Sequence, residues 1–202
     1  NILETAINFA GEKAEITKDI LKKTVENFLQ YESRGEDHYN IISAVHKSMR
    51  DSDPDAAVYW VMRMFEAGDD PLYIARRLLR FASEDIGNAD PQALILANSV
   101  FETCQKLGRP ECDVALAQLA IYLAKAPKDN SASVASILAK EDVRNFGSLP
   151  VPLHIRNAPT QLMKELGYGK GYKYAHDYPD ARVDQEHFPK ELKGRKYLKK
   201  RD

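Results

Sequence analysis

The sequence has little of what marks several specialised protein classes. Only two of its 202 residues are cysteines, Cys104 and Cys112, so neither a disulfide scaffold nor a cysteine-ligated zinc site is predicted. No apolar run approaches the roughly 20 residues that cross a bilayer. A charge excess is also missing, because the formal net charge is −1, and any nucleic-acid contact must therefore rest on a local patch. This composition is typical of a reduced, cytoplasmic globular protein.

The motifs of common enzyme classes are missing as well. The sequence contains no G-x-S-x-G, no H-E-x-x-H and no cysteine with a base beside it. His38 and His46 do not supply the three or four ligands that a metal site needs, and His38 with Tyr39 and Asn40 is interpreted as a helix cap. "GYGKGYKY" lacks the spacing of a phosphate-binding P-loop. No catalytic, cofactor or metal site is predicted in this chain.

What is present is a recurring order of glycine, aspartate and proline, as in "GDDP", "GNADP" and "SDP". Glycine ends a helix in the left-handed conformation, aspartate accepts the first free N–H groups of the next helix, and proline suits its first turn. This pattern, with apolar residues at helical spacing and no strand-like alternation, predicts an all-α fold. The predicted helices cover residues 1–10, 18–30, 38–50, 54–67, 71–86, 91–107, 110–126, 131–145 and 159–166.

The helix predicted at residues 71–86 carries an unusual density of arginine. Arg76, Arg77 and Arg80 either contact phosphate or form ion pairs, and Glu84 lies one turn after Arg80, where it can pair with it. We favour a structural ion-pair network, because charges are seldom buried without a partner. The carboxylates available as partners are Asp51, Asp53, Asp55, Glu84 and Asp85.

The C-terminal part of the chain combines tyrosine with basic residues. Lys170 and Lys173 lie between tyrosines, an arrangement that can hold a single nucleic-acid strand through stacking and charge. The terminal run "KELKGRKYLKKRD" also offers phosphate contacts. The alternative is a packed tyrosine-rich tail with solvated lysines. The predicted DNA-binding residues are Lys170, Lys173, Arg195, Lys196, Lys199 and Lys200.

Long stretches of the sequence resemble the C-terminal region of the MgsA/RarA-type AAA+ ATPases, which are related to the Werner-helicase-interacting protein. The longest is "GEDHYNIISAVHKSMRDSDPDAAVYWVMRMFEAGDDPLYIARRLLRFASEDIGNADPQAL". The others are "RPECDVALAQLAIYLAKAPKDNSA", "PVPLHIRNAP", "LGYGKGYKYAHDYP" and "HFPKELKGRKY". The chain departs from the family pattern at Asp51, where glycine is frequent, at Asp129, where serine is common, and in its last six residues.

The resemblance implies a helical bundle similar to clamp-loader C-terminal oligomerisation domains, followed by an irregular extension. Residues 1–34 are then the end of the AAA+ lid, residues 35–166 an all-α oligomerisation domain, and residues 167–202 a tyrosine-, glycine- and lysine-rich extension. The sequence also begins as if inside a helix. We therefore expect a fragment without ATPase activity of its own, with the ATP and Mg²⁺ site upstream of residue 1.

The resemblance further implies a homotetramer that acts on DNA at replication forks and contacts single-strand-binding protein, in the cytoplasm near the nucleoid. Large aromatic residues and arginine dominate well-packed interfaces. The predicted structural or interface residues are Trp60, Tyr59, Arg76, Arg77, Arg80 and Glu84. A second hypothesis is a monomeric helical scaffold that binds a replication protein or single-stranded DNA.

Overall fold

The computed structural model describes Lys18 and residues 35–198. The two helices predicted before residue 31 lie outside the described residues, apart from Lys18. The described part contains seven α-helices and no strand, which confirms the all-α prediction. The helices are α1 (Gly35–Arg50), α2 (Pro54–Glu66), α3 (Pro71–Phe81), α4 (Gln92–Leu107), α5 (Asp113–Lys125), α6 (Ser131–Phe146) and α7 (Gln161–Glu165).

The aspartates that were predicted to begin helices do so. Asp53 accepts a hydrogen bond from the Ala56 N–H at 3.0 Å, and Asp70 accepts one from Leu72 at 2.9 Å. Asp90 likewise accepts a bond from the Gln92 N–H at 3.1 Å. Each carboxylate satisfies one of the N–H groups that a helix start leaves without a partner. The helix boundaries in this part of the chain are therefore local properties of the sequence.

The structure differs in detail from three of the predicted helices. The helix predicted at residues 71–86 is α-helical only to Phe81, and residues Ala82–Ile86 form a π-helical turn that closes on Gly87. Asp129 donates its N–H to the carbonyl of Asp85 within this turn, at 2.7 Å. The helix predicted from residue 110 begins at Asp113, and α1 begins at Gly35, so His38 lies inside a helix and does not cap one.

The chain divides into two compact units between Asn130 and Ser131. We call them the N-terminal unit and the C-terminal unit. The N-terminal unit has an apolar core in which α5 packs against each of α1 to α4. The fully buried side chains include Phe81, Met49, Met64, Leu116 and Leu119. The predicted functional boundaries after residues 34 and 166 remain predictions.

The C-terminal unit consists of α6, α7 and a long segment with isolated 3₁₀ turns. Thr160 caps α7 by accepting a hydrogen bond from the Met163 N–H at 3.3 Å. From residue 167 to 198 the chain has no α-helix and no strand, in agreement with the predicted irregular extension. Among the residues that the structure describes, no helix is long and apolar enough to cross a membrane.

Candidate functional site

An aromatic cluster lies on the outer side of α2. The helix buries Ala57, Val61 and other apolar residues against the core, which turns Tyr59 outward with 60% of its surface exposed. The rings of Tyr59 and Trp60 meet edge to face with centroids 5.0 Å apart, and the Arg63 guanidinium lies 5.3 Å from the Trp60 ring centroid. Tyrosine, tryptophan and arginine are the residues that contribute most to protein interfaces.

Arg76 and Arg80 lie on the exposed side of α3, whereas Arg77 is half-buried beside the residues that face the core. Arg76 lies over the ring of Tyr73, at 5.3 Å from the centroid. Arg80 donates to Glu84 at 2.8 Å, which confirms the predicted pair. Both members of this pair are exposed, so solvent screens it and its contribution to stability is small.

Among the residues that the structure describes, no ion pair joins Arg76 or Arg77 to the carboxylates predicted as partners. Asp85 is bound by Arg50 of α1, which donates to both carboxylate oxygens at 2.6 and 3.2 Å, and this bond raises the pKa of Arg50. Asp53 serves as a helix cap. The buried Nε of Arg77 has no hydrogen-bond partner in the part of the chain that the structure describes. Sequence spacing could not reveal that Arg50 and Asp85 meet, because they lie 35 residues apart.

Sequence reasoning missed an exposed apolar surface on α4 and α5. Five large apolar side chains of these helices are 41–72% exposed: Leu94, Ile95, Leu107, Val114 and Ile121. A nearby cavity of about 470 Å³ is lined by residues of the same helices and of the segments that flank them. On its wall the Tyr122 hydroxyl donates to Asp90 at 2.7 Å, and this bond raises the pKa of Tyr122. The sequence signal that could have revealed this surface was apolar residues at helix positions that the 3.6-residue period places away from the core.

The C-terminal unit is organised around a buried carboxylate. Asp142 of α6 is 3% exposed. Arg195 donates to both of its oxygens at 2.7 and 2.9 Å, and the Tyr197 hydroxyl donates to it at 3.0 Å. Burial, together with this hydrogen bond, raises the pKa of Tyr197. Arg195 therefore has a structural partner, and its predicted DNA contact would have to use the remaining guanidinium N–H groups.

The other predicted DNA-binding residues are placed differently from one another. Lys170 and Lys196 are exposed. Lys173 is exposed too, but its Nζ donates to the carbonyl of Asp184 at 3.1 Å. Lys199 and Lys200 lie outside the described residues. The contact of these lysines with DNA therefore remains a prediction.

The two histidines considered as metal ligands have other surroundings. His38 lies 3.4 Å from Asp69 and stacks on Tyr73. His46 packs against Phe81, and burial, followed by the nearby charge of Arg77, lowers its pKa. No group of three or more metal-ligating side chains occurs among residues 35–198 or at Lys18.

Both cysteine thiols are buried in the N-terminal unit. Burial, followed by the neighbouring Cys112, raises the pKa of Cys104 to about 12. Because the thiolate is the reactive form, Cys104 is a poor nucleophile at neutral pH. Both thiols therefore belong to the packed core.

Comparison with known families agrees with the all-α arrangement. Residues 51–202 match the family model described as MgsA AAA+ ATPase C terminal. This chain belongs to the MgsA C-terminal family. Residues 1–50 match a second family model, described as AAA C-terminal domain, and the boundary between the two matches falls between α1 and α2.

Similar proteins carry names that refer to replication and recombination. The chain is 48% identical over 202 residues to Replication-associated recombination protein A of Coxiella burnetii, covering 98% of this chain and 46% of that protein. The protein of the same name from Haemophilus influenzae is 46% identical, with 98% and 45% coverage. ATPase WRNIP1 of Dictyostelium discoideum is 44% identical over 191 residues, covering 91% of this chain and 22% of that protein. This MgsA-family chain thus spans about half the length of the two bacterial relatives.

Proposed function

We propose that this chain is the self-association module of a replication-associated AAA+ ATPase. The observation that carries the proposal is the exposure of large apolar side chains on the N-terminal unit. Val114 is 72%, Tyr59 60% and Ile95 58% exposed, although the unit has a fully buried core without them. Exposed apolar groups gain free energy when a second copy removes them from water.

The proposed assembly is a closed homo-oligomer, and its order, a tetramer, rests on the family resemblance. Closed symmetry uses one surface of each copy repeatedly and brings several ATPase cores together. The Tyr59–Trp60–Arg63 cluster supports such a contact, because it combines residue types that dominate interfaces with a rigid position on α2.

The proposal is tested by the mass of the chain in solution, measured by light scattering or sedimentation across a range of concentrations. We expect a mass near four times 22.8 kDa. Val114→Asp places a charge on the proposed surface and is expected to shift assembly to higher concentration. Val143→Asp is the matched control, because Val143 is 68% exposed but belongs to the C-terminal unit.

Trp60→Ala tests the aromatic cluster of α2, the other contact that we propose. It is expected to weaken assembly while the helical circular-dichroism signal is kept. A wild-type chain that stays monomeric at every concentration would contradict the proposal. Unchanged assembly in both Val114→Asp and Trp60→Ala would contradict both of the contacts that we assign.

A second candidate function is a monomeric scaffold for a replication protein, such as single-strand-binding protein, or for single-stranded DNA. The cavity of about 470 Å³ beside Tyr122 favours it, because Leu96, Ile121 and Pro127 provide apolar walls and Lys125 a cationic one. A monomer that binds such a partner, with binding weakened by Ile121→Asp, is the expected result for this function.

The remaining parts of the proposal concern the longer protein. By analogy with its relatives, it would bind ATP and Mg²⁺ in a core upstream of residue 1, contact DNA at replication forks and work in the cytoplasm near the nucleoid. This chain alone is expected to hydrolyse no ATP. An assay for phosphate release with and without single-stranded DNA tests that expectation, and DNA-stimulated turnover would contradict it.

A further inference from the structure

A polar pocket in the C-terminal unit has no part in the proposed self-association. Its volume is about 460 Å³. The residues that line it include His154, Arg156, Asn157, Gly169, Tyr172 and His187. Among the described residues that line it there is no carboxylate, so the charged lining group is a cation. The pocket unites two sequence motifs, "PLHIRNAP" and "GYGKGYKY", that the overall fold leaves without a function.

Arg156 is held in place by its neighbours. Its Nε donates to the carbonyl of Val151 at 2.6 Å, and its Nη1 donates to the Tyr168 hydroxyl at 3.2 Å. The guanidinium also lies 5.1 Å from the centroid of the Tyr168 ring. A guanidinium carries five N–H donors, and the others have no partner in the described part of the chain. The cation is therefore oriented in advance, with donors left for an anion.

The histidine side of the pocket is also ordered. His154 Nε2 lies 2.6 Å from the carbonyl of Glu186, so this nitrogen donates and the Nδ1 remains for a second partner. The Glu186 carboxylate is occupied by the N–H groups of His187 and Phe188, each at 3.0 Å. These bonds lower the pKa of Glu186 and fix the chain at His187. Hydrogen-bonding groups thus face the pocket from two separate segments.

Tyr172 supplies an aromatic surface at the same pocket. Its side chain is 49% exposed. The loop that carries it is anchored by the Gly169 N–H, which donates to the carbonyl of Leu153 at 2.9 Å. It is anchored again where Lys173 and Gln185 exchange two hydrogen bonds. An exposed tyrosine on a fixed loop can stack with a nucleobase, and such stacking tolerates any base.

We propose that this pocket binds one nucleoside phosphate unit of a single-stranded nucleic acid, with the phosphate at Arg156 and the base against Tyr172. Planar arginine recognises phosphate through paired N–H donors. Asn157 and His187 provide further polar groups around the phosphate or base. Lys170, exposed on the same loop, adds positive charge along the strand. This binding does not rest on self-association of the N-terminal unit.

The test measures binding of a fluorescein-labelled oligothymidylate of about 20 nucleotides to the 202-residue chain by anisotropy. Tyr172→Ala is expected to weaken binding about 5- to 150-fold, the range for loss of one stacked base. Tyr178→Ala is the matched control, because Tyr178 is 41% exposed in the same unit but does not line the pocket. The control is expected to change binding less than about twofold.

Arg156→Gln examines the phosphate contact separately. Removing one phosphate contact on a single strand is expected to reduce the slope of log K against log salt by about 0.7. Arg156 also binds Val151 and Tyr168, so its replacement could unfold this part of the chain. The variant is therefore interpreted only if its helical circular-dichroism signal equals that of the wild type. If that signal is lost, Tyr172→Ala alone decides whether the pocket binds the strand. A free mononucleotide, thymidine monophosphate, serves as competitor. If thymidine monophosphate displaces the oligonucleotide, the pocket binds nucleoside phosphates in general. If it does not, the pocket binds only nucleotides within a strand.

Three results would overturn the inference. The first is no binding of either the oligonucleotide or the mononucleotide. The second is binding that Tyr172→Ala leaves unchanged. The third is an equal loss in Tyr178→Ala, since that would show a general effect of surface tyrosines. The two proposals fail independently. If the wild-type chain is oligomeric but binds no nucleotide, only the pocket proposal fails. If it is monomeric and binds the oligonucleotide through Tyr172, only the self-association proposal fails.

Discussion

The N-terminal and C-terminal units are held together by different kinds of interaction. Within residues 38–130 the buried side chains are apolar except for Asp85. Within residues 131–198 the one residue in the buried class is Asp142. Apolar burial is non-directional and tolerates small shifts, whereas hydrogen bonds require defined geometry. The comparison teaches that one all-α chain can contain a unit built on packing and a unit built on directional polar contacts.

The single tryptophan allows the units to be followed separately. Trp60 lies in the N-terminal unit, so its fluorescence reports unfolding there, while far-ultraviolet circular dichroism reports the helices of both units. Any variant can therefore be assigned to one unit by which of the two signals changes.

Phe81→Ala is expected to have the largest effect. Phe81 is fully buried in the N-terminal unit, and its truncation leaves a cavity that costs about 3–5 kcal/mol. The urea midpoint of Trp60 fluorescence should fall accordingly. Leu162→Ala is the control, because Leu162 is 64% exposed in the C-terminal unit and should change stability by less than about 0.5 kcal/mol. Similar losses in both would break the contrast between the units.

Asp142→Asn examines the polar anchor of the C-terminal unit. It removes the charge that Arg195 and Tyr197 bind, and Arg195 is itself 45% exposed, so solvent recovers part of the loss. The expected cost is about 1–3 kcal/mol. Circular dichroism should show earlier unfolding while the Trp60 transition stays in place. Simultaneous shifts of both signals would mean that the units unfold cooperatively.

Gly87→Ala tests how closely the backbone packs in the N-terminal unit, at the segment before α4. Gly87 has φ +53°, and a Cβ there would lie 2.5 Å from the carbonyl oxygen of Asp129. Strain and this backbone collision together are expected to cost about 2 kcal/mol. Gly68→Ala is the control for strain alone, since Gly68 has φ +96° and nothing within 4 Å of a Cβ. Equal costs for the two variants would contradict a role for the close approach.

Acidification is expected to have the smallest effect, confined to the N-terminal unit. Burial lowers the pKa of His46 below its ordinary value of 6.5. The unfolded chain then binds a proton at His46 more readily than the folded chain does, so stability decreases as the pH falls through the ordinary histidine range. The urea midpoint of Trp60 fluorescence should decrease less in His46→Gln than in the wild type. His176→Gln, at an exposed histidine, should behave like the wild type.

Much of the N-terminal unit was predictable because its signals are local. The Asp53, Asp70 and Asp90 caps were predicted from sequence, since each contact spans two or three residues. The Arg80–Glu84 pair spans one helical turn and was predicted for the same reason. The helical segment of residues 71–86 ends as predicted, but its last turn, Ala82–Ile86, is π-helical. Local spacing does not indicate this turn or the bond that Asp129, 44 residues after Asp85, donates to its backbone.

The candidate site was less predictable. Tyr59 and Trp60 were chosen for their residue types, but their exposure depends on which face of α2 the core covers. Arg195 was interpreted as a DNA contact, and its bonds to Asp142 join residues 53 positions apart. The pocket around Arg156 brings together residues 154–172 and His187, a juxtaposition that no periodicity indicates.

The sequence by itself determined the all-α class, most helix starts and the family, because caps, periodicity and long motifs are read along the chain. Tertiary structure alone decided the long-range partners of charged side chains, the exposed face of each helix and the pocket of the C-terminal unit. The physical reason is that a carboxylate binds whichever cation the fold brings within about 3 Å. For Asp85 and Asp142 those cations, Arg50 and Arg195, come from distant parts of the chain.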